Sequence, residues 1–304
     1  MLIVEDGTGL PDANSYVSLE YAARYFGLQG NDAWFGGEPT PATGTLTFAS
    51  IPTSGDTVTL GGVVYKFVEA LSDPAVANEV VIGDSEIDAR DHLIAAINQE
   101  SGRGTTYSTP TTRNYWAQAS VDGPNSILAT AVAPGPTGSD ITTSATGQGS
   151  WANATLTGGS QTISQAAQES ALITATAYVD ARFGTRFRGW PVSDDQALAF
   201  PRTGIASGCS QGKSMPPRLL MATAEYAVRA LAGPLAPDPV SDPSGYAIRR
   251  RRRKLGPIEN EWEFATGENG ASGPSLWQSY PIPDALLSCM VSSMGANQSR
   301  VIRS

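Results

Sequence analysis

Asp56-Thr-Val-Thr-Leu60-Gly-Gly-Val63-Val-Tyr-Lys-Phe67 decides the fold of the middle of this chain. Two runs rich in β-branched and aromatic residues flank a pair of glycines. Gly61 and Gly62 accept the positive φ angles of a tight turn, so the stretch reads as a β-hairpin. Upstream, Gly44-Thr-Leu-Thr-Phe48 alternates like a strand, and downstream 115–121, 126–132 and 154–157 read as further strands. Ser85 opens a helix running to about Gln99, with Ile87, Leu93, Ile94 and Ile97 as its apolar residues. Residues 44–159 are therefore expected to form a β-rich domain with one helix.

Outward from this piece the period changes from two to 3.6. Ser18 can cap a short helix from Leu19 to about Leu28, with Leu19, Ala22, Ala23 and Phe26 on one face. After Gly159, Leu172, Thr176, Val179 and Phe183 follow helical spacing on 164–182, and Gly184 can close that helix. Phe187–Trp190 and 197–200 look extended. Pro216-Pro217 then starts a helix with Leu220, Ala224, Ala227, Val228 and Leu231 as its stripe, stopped by Gly233-Pro234. Residues 258–264 read as a strand and 283–293 as a last short helix. A short amphipathic helix cannot bury its face alone. The N-terminal one is therefore expected to pack on the helices after 160, making the middle an insertion. The expected fold is α+β: a helical bundle from 1–40 and 160–293 with short β elements, a β-rich inserted domain at 44–159, and a polar tail at 294–304.

Hydrophobic residues make up 40% of the 304, enough for a real core. No run of 18 apolar residues occurs, and Met1-Leu-Ile-Val-Glu-Asp6 lacks a basic leader, so neither a membrane span nor a signal peptide is expected. Synthesis and retention in a cytoplasm follow. The net charge of -9 is uneven: residues 1–160 hold 5 basic and 17 acidic side chains, residues 161–304 hold 15 and 12. Such asymmetry suggests different surroundings for the two halves. Cys209 and Cys289 are far apart in sequence and form no CxxC motif.

Several stretches carry a family resemblance. They are Asp12-Ala-Asn-Ser-Tyr-Val-Ser18 with Tyr25-Phe26; Ala171-Leu-Ile-Thr-Ala-Thr-Ala-Tyr-Val-Asp180; Phe187-Arg-Gly189 with Ala197-Leu-Ala-Phe-Pro-Arg202; Pro216-Pro217 with Ala224-Glu225 and Ala230-Leu-Ala232; and Leu255-Gly-Pro-Ile-Glu259. In this order they resemble the head-to-tail adaptor (connector, neck or head-completion) proteins of tailed bacteriophages. The insert is similar to a β-rich repeat of phage structural proteins. The resemblance implies a virion protein of the neck, synthesised in the host cytoplasm. It implies a homo-oligomeric ring of about twelve copies that docks on the portal protein, meets a tail-side neck protein and passes genomic DNA through its channel. The rival function is a single-stranded-DNA-binding module of phage replication or packaging, since similar proteins also carry a DnaT-like single-stranded-DNA-binding label.

Arg249, Arg250, Arg251, Arg252, Arg253 and Lys254 are the strongest local feature. On a strand they charge both faces, and on a helix the whole circumference, so the run cannot be buried. It is either simply solvated or faces DNA or an acidic partner, and phosphate binding of that kind is independent of base sequence and sensitive to salt. Trp262 and Phe264 follow it, with Glu259, Glu261 and Glu263 interspersed. Those carboxylates argue against a stacking platform, and the six tryptophans read as core or interface residues. Leu286, Leu287 and Met290 form an apolar stripe spaced for docking to the portal. His92, with Asp88 and Asp91 nearby, could be imagined as an acid–base pair, but no nucleophile or metal-ligand spacing accompanies it. Neither enzymatic activity nor a cofactor or metal is expected.

Overall fold

The computed structural model describes residues 1–236, 248–254, 259–264 and 277–292, and for the two strands at 248–254 and 259–264 it gives the backbone course. The expected tail at 294–304, and 255–258 of the Leu255–Glu259 stretch, lie outside the described residues. The chain divides into two compact units, Ser18–Gln168 and Met1–Val17 with Glu169–Ser304.

The Ser18–Gln168 unit opens with α1 (Leu19–Gln29). The Ser18 side chain accepts from the Tyr21 N–H, and Gly30 closes the helix in the left-handed region. Then come β1 (Thr43–Phe48), β2 (Thr57–Leu60), β3 (Val63–Val68), β4 (Glu79–Val81), α2 (Glu86–Asn98), β5 (Ala117–Gly123), β6 (Ser126–Ala131), β7 (Thr143–Ala145) and β8 (Gly149–Trp151). They make two four-stranded sheets, ordered β5-β6-β1-β8 and β4-β3-β2-β7. The expected hairpin pairs β2 with β3 antiparallel, Leu60 opposite Val63. Gly61 and Gly62 have φ of 60° and 77°, and a Cβ on Gly61 would stand 2.6 Å from Trp116, so a side chain there is excluded twice over. Both sheets and α2 share one core. Leu46, Phe48, Leu60, Tyr65, Phe67, Leu93 and Leu156 are fully buried in it, and Phe48 meets Phe67 edge to face at 5.7 Å. Residues 154–157 form only isolated bridges, Thr142 to Thr155 and Thr43 to Thr157, rather than the expected strand.

The other unit contains the N-terminal segment, most of α3 (Gln165–Phe183), β9 (Trp190–Pro191), β10 (Arg202–Thr203), α4 (Ser207–Ser210), α5 (Pro217–Ala232), β11 (Ile248–Lys254), β12 (Glu259–Phe264) and α6 (Pro281–Leu287). Among the described residues no helical bundle is evident, and they are mixed α+β with substantial β content. The expectation of a bundle fails for a physical reason. Between α3 and α5 the chain carries Gly189, Pro191, Pro201, Gly204, Gly208 and Gly212, which break helices. Part of the apolar face of α3 is instead covered by irregular chain, while Tyr178 meets Tyr226 of α5 at 5.0 Å. Phe187 and Phe200 are buried with ring centroids 4.8 Å apart, and Tyr16 meets Phe200 edge to face at 6.2 Å. Tyr16 is held by its backbone N–H, which donates to the Thr176 hydroxyl at 3.2 Å, and by its own hydroxyl, which donates to Asp180.

Candidate nucleic-acid interface

β11 contains the basic run and pairs antiparallel with β12. The register sets Arg250 opposite Glu263, Arg251 opposite Trp262, Arg252 opposite Glu261, Arg253 opposite Asn260 and Lys254 opposite Glu259. The register shifts between Ile248 and Arg250, which leaves Arg249 as the extra residue of a bulge. In an antiparallel pair, opposed residues share a face, and each strand alternates between faces with period two. One face of the ribbon therefore takes Arg250, Arg252 and Lys254 together with Glu259, Glu261 and Glu263: three cations against three carboxylates. The other takes Ile248, Arg251, Arg253, Asn260, Trp262 and Phe264: two cations, two aromatics, one isoleucine and no carboxylate.

This sorting overturns the objection drawn from the glutamates. Counted along the chain they interrupt Trp262 and Phe264; counted by face they are absent from the aromatic side. Cations interleaved with aromatic residues on one β surface are what a single-stranded nucleic acid needs. The cations track phosphates and the rings stack bases. A linear reading of the sequence sets Trp262 aside because of the neighbouring glutamates and passes over Asn260. The available signal was period two across Glu259-Asn-Glu-Trp-Glu-Phe264.

The other residues singled out in the sequence have structural work. Leu287 and Met290 are fully buried and Leu286 is half-buried, so two of the three stripe residues pack into the core of their own unit. His92 Nδ1 lies 2.7 Å from the Val81 carbonyl and ties α2 to β4. Asp88 accepts from the Ser85 hydroxyl at 2.8 Å and the Asp84 N–H at 3.1 Å, contacts that hold its carboxyl below the usual range. Asp88 thus belongs to the cap of α2 rather than to an acid–base pair. Among the described residues no cluster of His, Cys, Asp and Glu could hold a metal ion, and no helix is long and apolar enough to cross a membrane.

The sequence profile of the family described as "Putative DnaT-like ssDNA binding protein" matches residues 1–49 and 143–304, well over half the chain. No curated protein matches. All five stretches that resemble phage adaptors fall inside the matched residues. The match therefore corrects the identification they suggested, and with it the virion-neck function and its vocabulary. The portal, the tail-side partner and the twelvefold ring have no support in the fold or the family. Residues 50–142, from just after β1 to just before β7, are the part that the family does not include. The chain belongs to this family.

Proposed function

We propose that the chain binds single-stranded DNA through the β11–β12 ribbon, and that it acts by binding rather than by catalysis. The observation that carries this reading is the register, which leaves Arg251, Arg253, Trp262 and Phe264 on one carboxylate-free face. The arginines would neutralise backbone phosphates, a contact blind to base identity and weakened by salt. The rings would stack on successive bases, which every base permits because every base has a π-face. The opposite face, with cations and carboxylates in equal number, has no net charge to offer a polyanion.

The test is an anisotropy titration of the full chain against a labelled oligo-dT strand at several salt concentrations. Saturable binding that weakens linearly in log–log form as salt rises is the expected result. Absence of binding at low salt would overturn the reading.

A further inference from the structure

Arg186-Phe-Arg-Gly-Trp190 interleaves cations and aromatic residues a second time, and here the side chains are described. Phe187 turns inward against Phe183 and Phe200. Arg186 is half-buried and its Nη2 donates to the Ser292 carbonyl at 3.4 Å. Trp190 goes the other way. The residue is 76% exposed, although an indole normally buries most of its surface. Arg188 is exposed as well, and its guanidinium makes no ion pair among the described residues.

The backbone under these two residues is held firmly. Trp190 pairs with Thr203, and Pro191 with Arg202, in the β9–β10 ribbon. Arg202 spends its guanidinium on the chain itself. Nε donates to the Arg188 carbonyl at 3.0 Å, Nη2 to Gly189 at 2.7 Å and Phe187 at 3.4 Å, and Nη1 to Ala199 at 3.1 Å. Gly189 sits at φ 78° with the Thr203 carbonyl 2.0 Å from where a Cβ would be, so the turn into Trp190 admits no other residue. A solvent-facing indole on a braced strand loses little conformational freedom when it stacks, which favours a stacking role.

We propose that Trp190 and Arg188 form a second contact for single-stranded nucleic acid, the indole stacking on a nucleobase and the guanidinium pairing with a neighbouring phosphate. The proposal rests on the single-stranded-DNA reading above. Lys213 adds a further exposed cation close by, next to Ser214, whose carbonyl accepts the Arg202 N–H at 3.2 Å. Asp194 and Asp195 lie exposed in the loop after β9 and would repel phosphates there, so the strand is expected to leave Trp190 on the Arg188 side.

The experiment compares wild type, Trp190→Ala, Trp190→Phe, Arg188→Gln and the double variant Arg251→Gln/Arg253→Gln in full-length form against oligo-dT. The same set is run against an oligomer of equal length whose sugars lack bases. Trp190→Ala should weaken dT binding by roughly 5–100-fold and Trp190→Phe by much less, because stacking is what is lost. The abasic oligomer should not distinguish Trp190→Ala from wild type. Arg188→Gln should lower the salt slope by about 0.7, one phosphate contact. Dichroism and melting should be unchanged for the Trp190 and Arg188 variants, since both side chains are exposed. If Trp190→Ala binds dT as wild type does while Arg251→Gln/Arg253→Gln binds weakly, this second contact is wrong and the β11–β12 reading stands. A change in sedimentation without a change in DNA affinity would also overturn it, pointing to a contact between copies. If wild type binds no single-stranded DNA, both readings fall together.

Discussion

The guanidinium of Arg182 grips the carboxylate of Asp284 through two parallel hydrogen bonds, Nη1 to Oδ1 at 3.0 Å and Nη2 to Oδ2 at 2.9 Å. The same carboxylate accepts from the Tyr226 hydroxyl and from the Tyr280 N–H at 3.0 Å. One side chain at the start of α6 thus joins α3, α5 and the segment leading into α6, amid the rings of Tyr178, Tyr226 and Tyr280. The paired side chains are only 14% and 21% exposed. Asp284→Ala would leave a largely buried arginine and a tyrosine hydroxyl short of acceptors. It should destabilise this unit by roughly 2–4 kcal/mol, read as a lower midpoint in urea unfolding. An unchanged midpoint would show that the clamp does not hold α6.

Tyr16 is the corresponding anchor for the N-terminal segment. Its hydroxyl donates to Asp180 and accepts the Phe200 N–H at 3.2 Å, while Asp180 also accepts the Ala199 N–H at 3.0 Å. Tyr16→Phe should cost roughly 1–3 kcal/mol, since it strands a buried N–H and removes one donor from a buried carboxylate. The penalty should depend on pH. Burial holds the Asp180 carboxyl above its ordinary value, and the Tyr16 hydroxyl partly offsets this. An acid whose folded pKa is raised contributes most when protonated and loses that contribution as pH rises through the raised value. Removing the offsetting donor enlarges the shift, so the variant should lose more stability at pH 7 than at pH 4. Equal losses at the two pH values would contradict this assignment.

Glu79 runs in the opposite direction. Its carboxylate accepts the Ser72 N–H at 2.9 Å and the Ser72 hydroxyl at 2.7 Å, and these bonds, the backbone one first, hold its pKa below the ordinary value. The stabilisation is therefore present above the unfolded-state pKa and lost as pH falls through the lower folded value. Melting temperatures measured between pH 7 and pH 3 should fall less steeply at the acid end for Glu79→Gln than for wild type. Parallel curves would remove Glu79 from the acid response.

Much of the β-rich unit was legible in the sequence because its signals are local. Gly61-Gly62 forces a turn whatever surrounds it, and Ser85 caps α2 as its position before Glu86-Ile-Asp88 suggests. Helices α3 and α5 were legible from their stripes. What covers those stripes was not, because burial of Phe187 and Phe200 beside Tyr16 is a long-range outcome with no sequence period. The basic run was visible as charge, but its meaning depended on its partner strand. Only the register of β11 on β12 sets the glutamates at positions opposite the even-numbered cations. The Arg186–Trp190 pattern was in plain view too, and the missing quantity was exposure, which tertiary packing assigns to Trp190 and denies to Phe187.

The most direct measurement compares two double variants that remove the same charge from the two faces of one ribbon. Affinity for oligo-dT would be measured at one salt concentration for Arg251→Gln/Arg253→Gln and for Arg250→Gln/Arg252→Gln. The account predicts that the first, on the side of Trp262, loses roughly tenfold or more, while the second, opposite Glu261 and Glu263, loses far less. Equal losses, or a larger loss for the second pair, would mean that the run acts as undifferentiated charge and would contradict the two-faced ribbon.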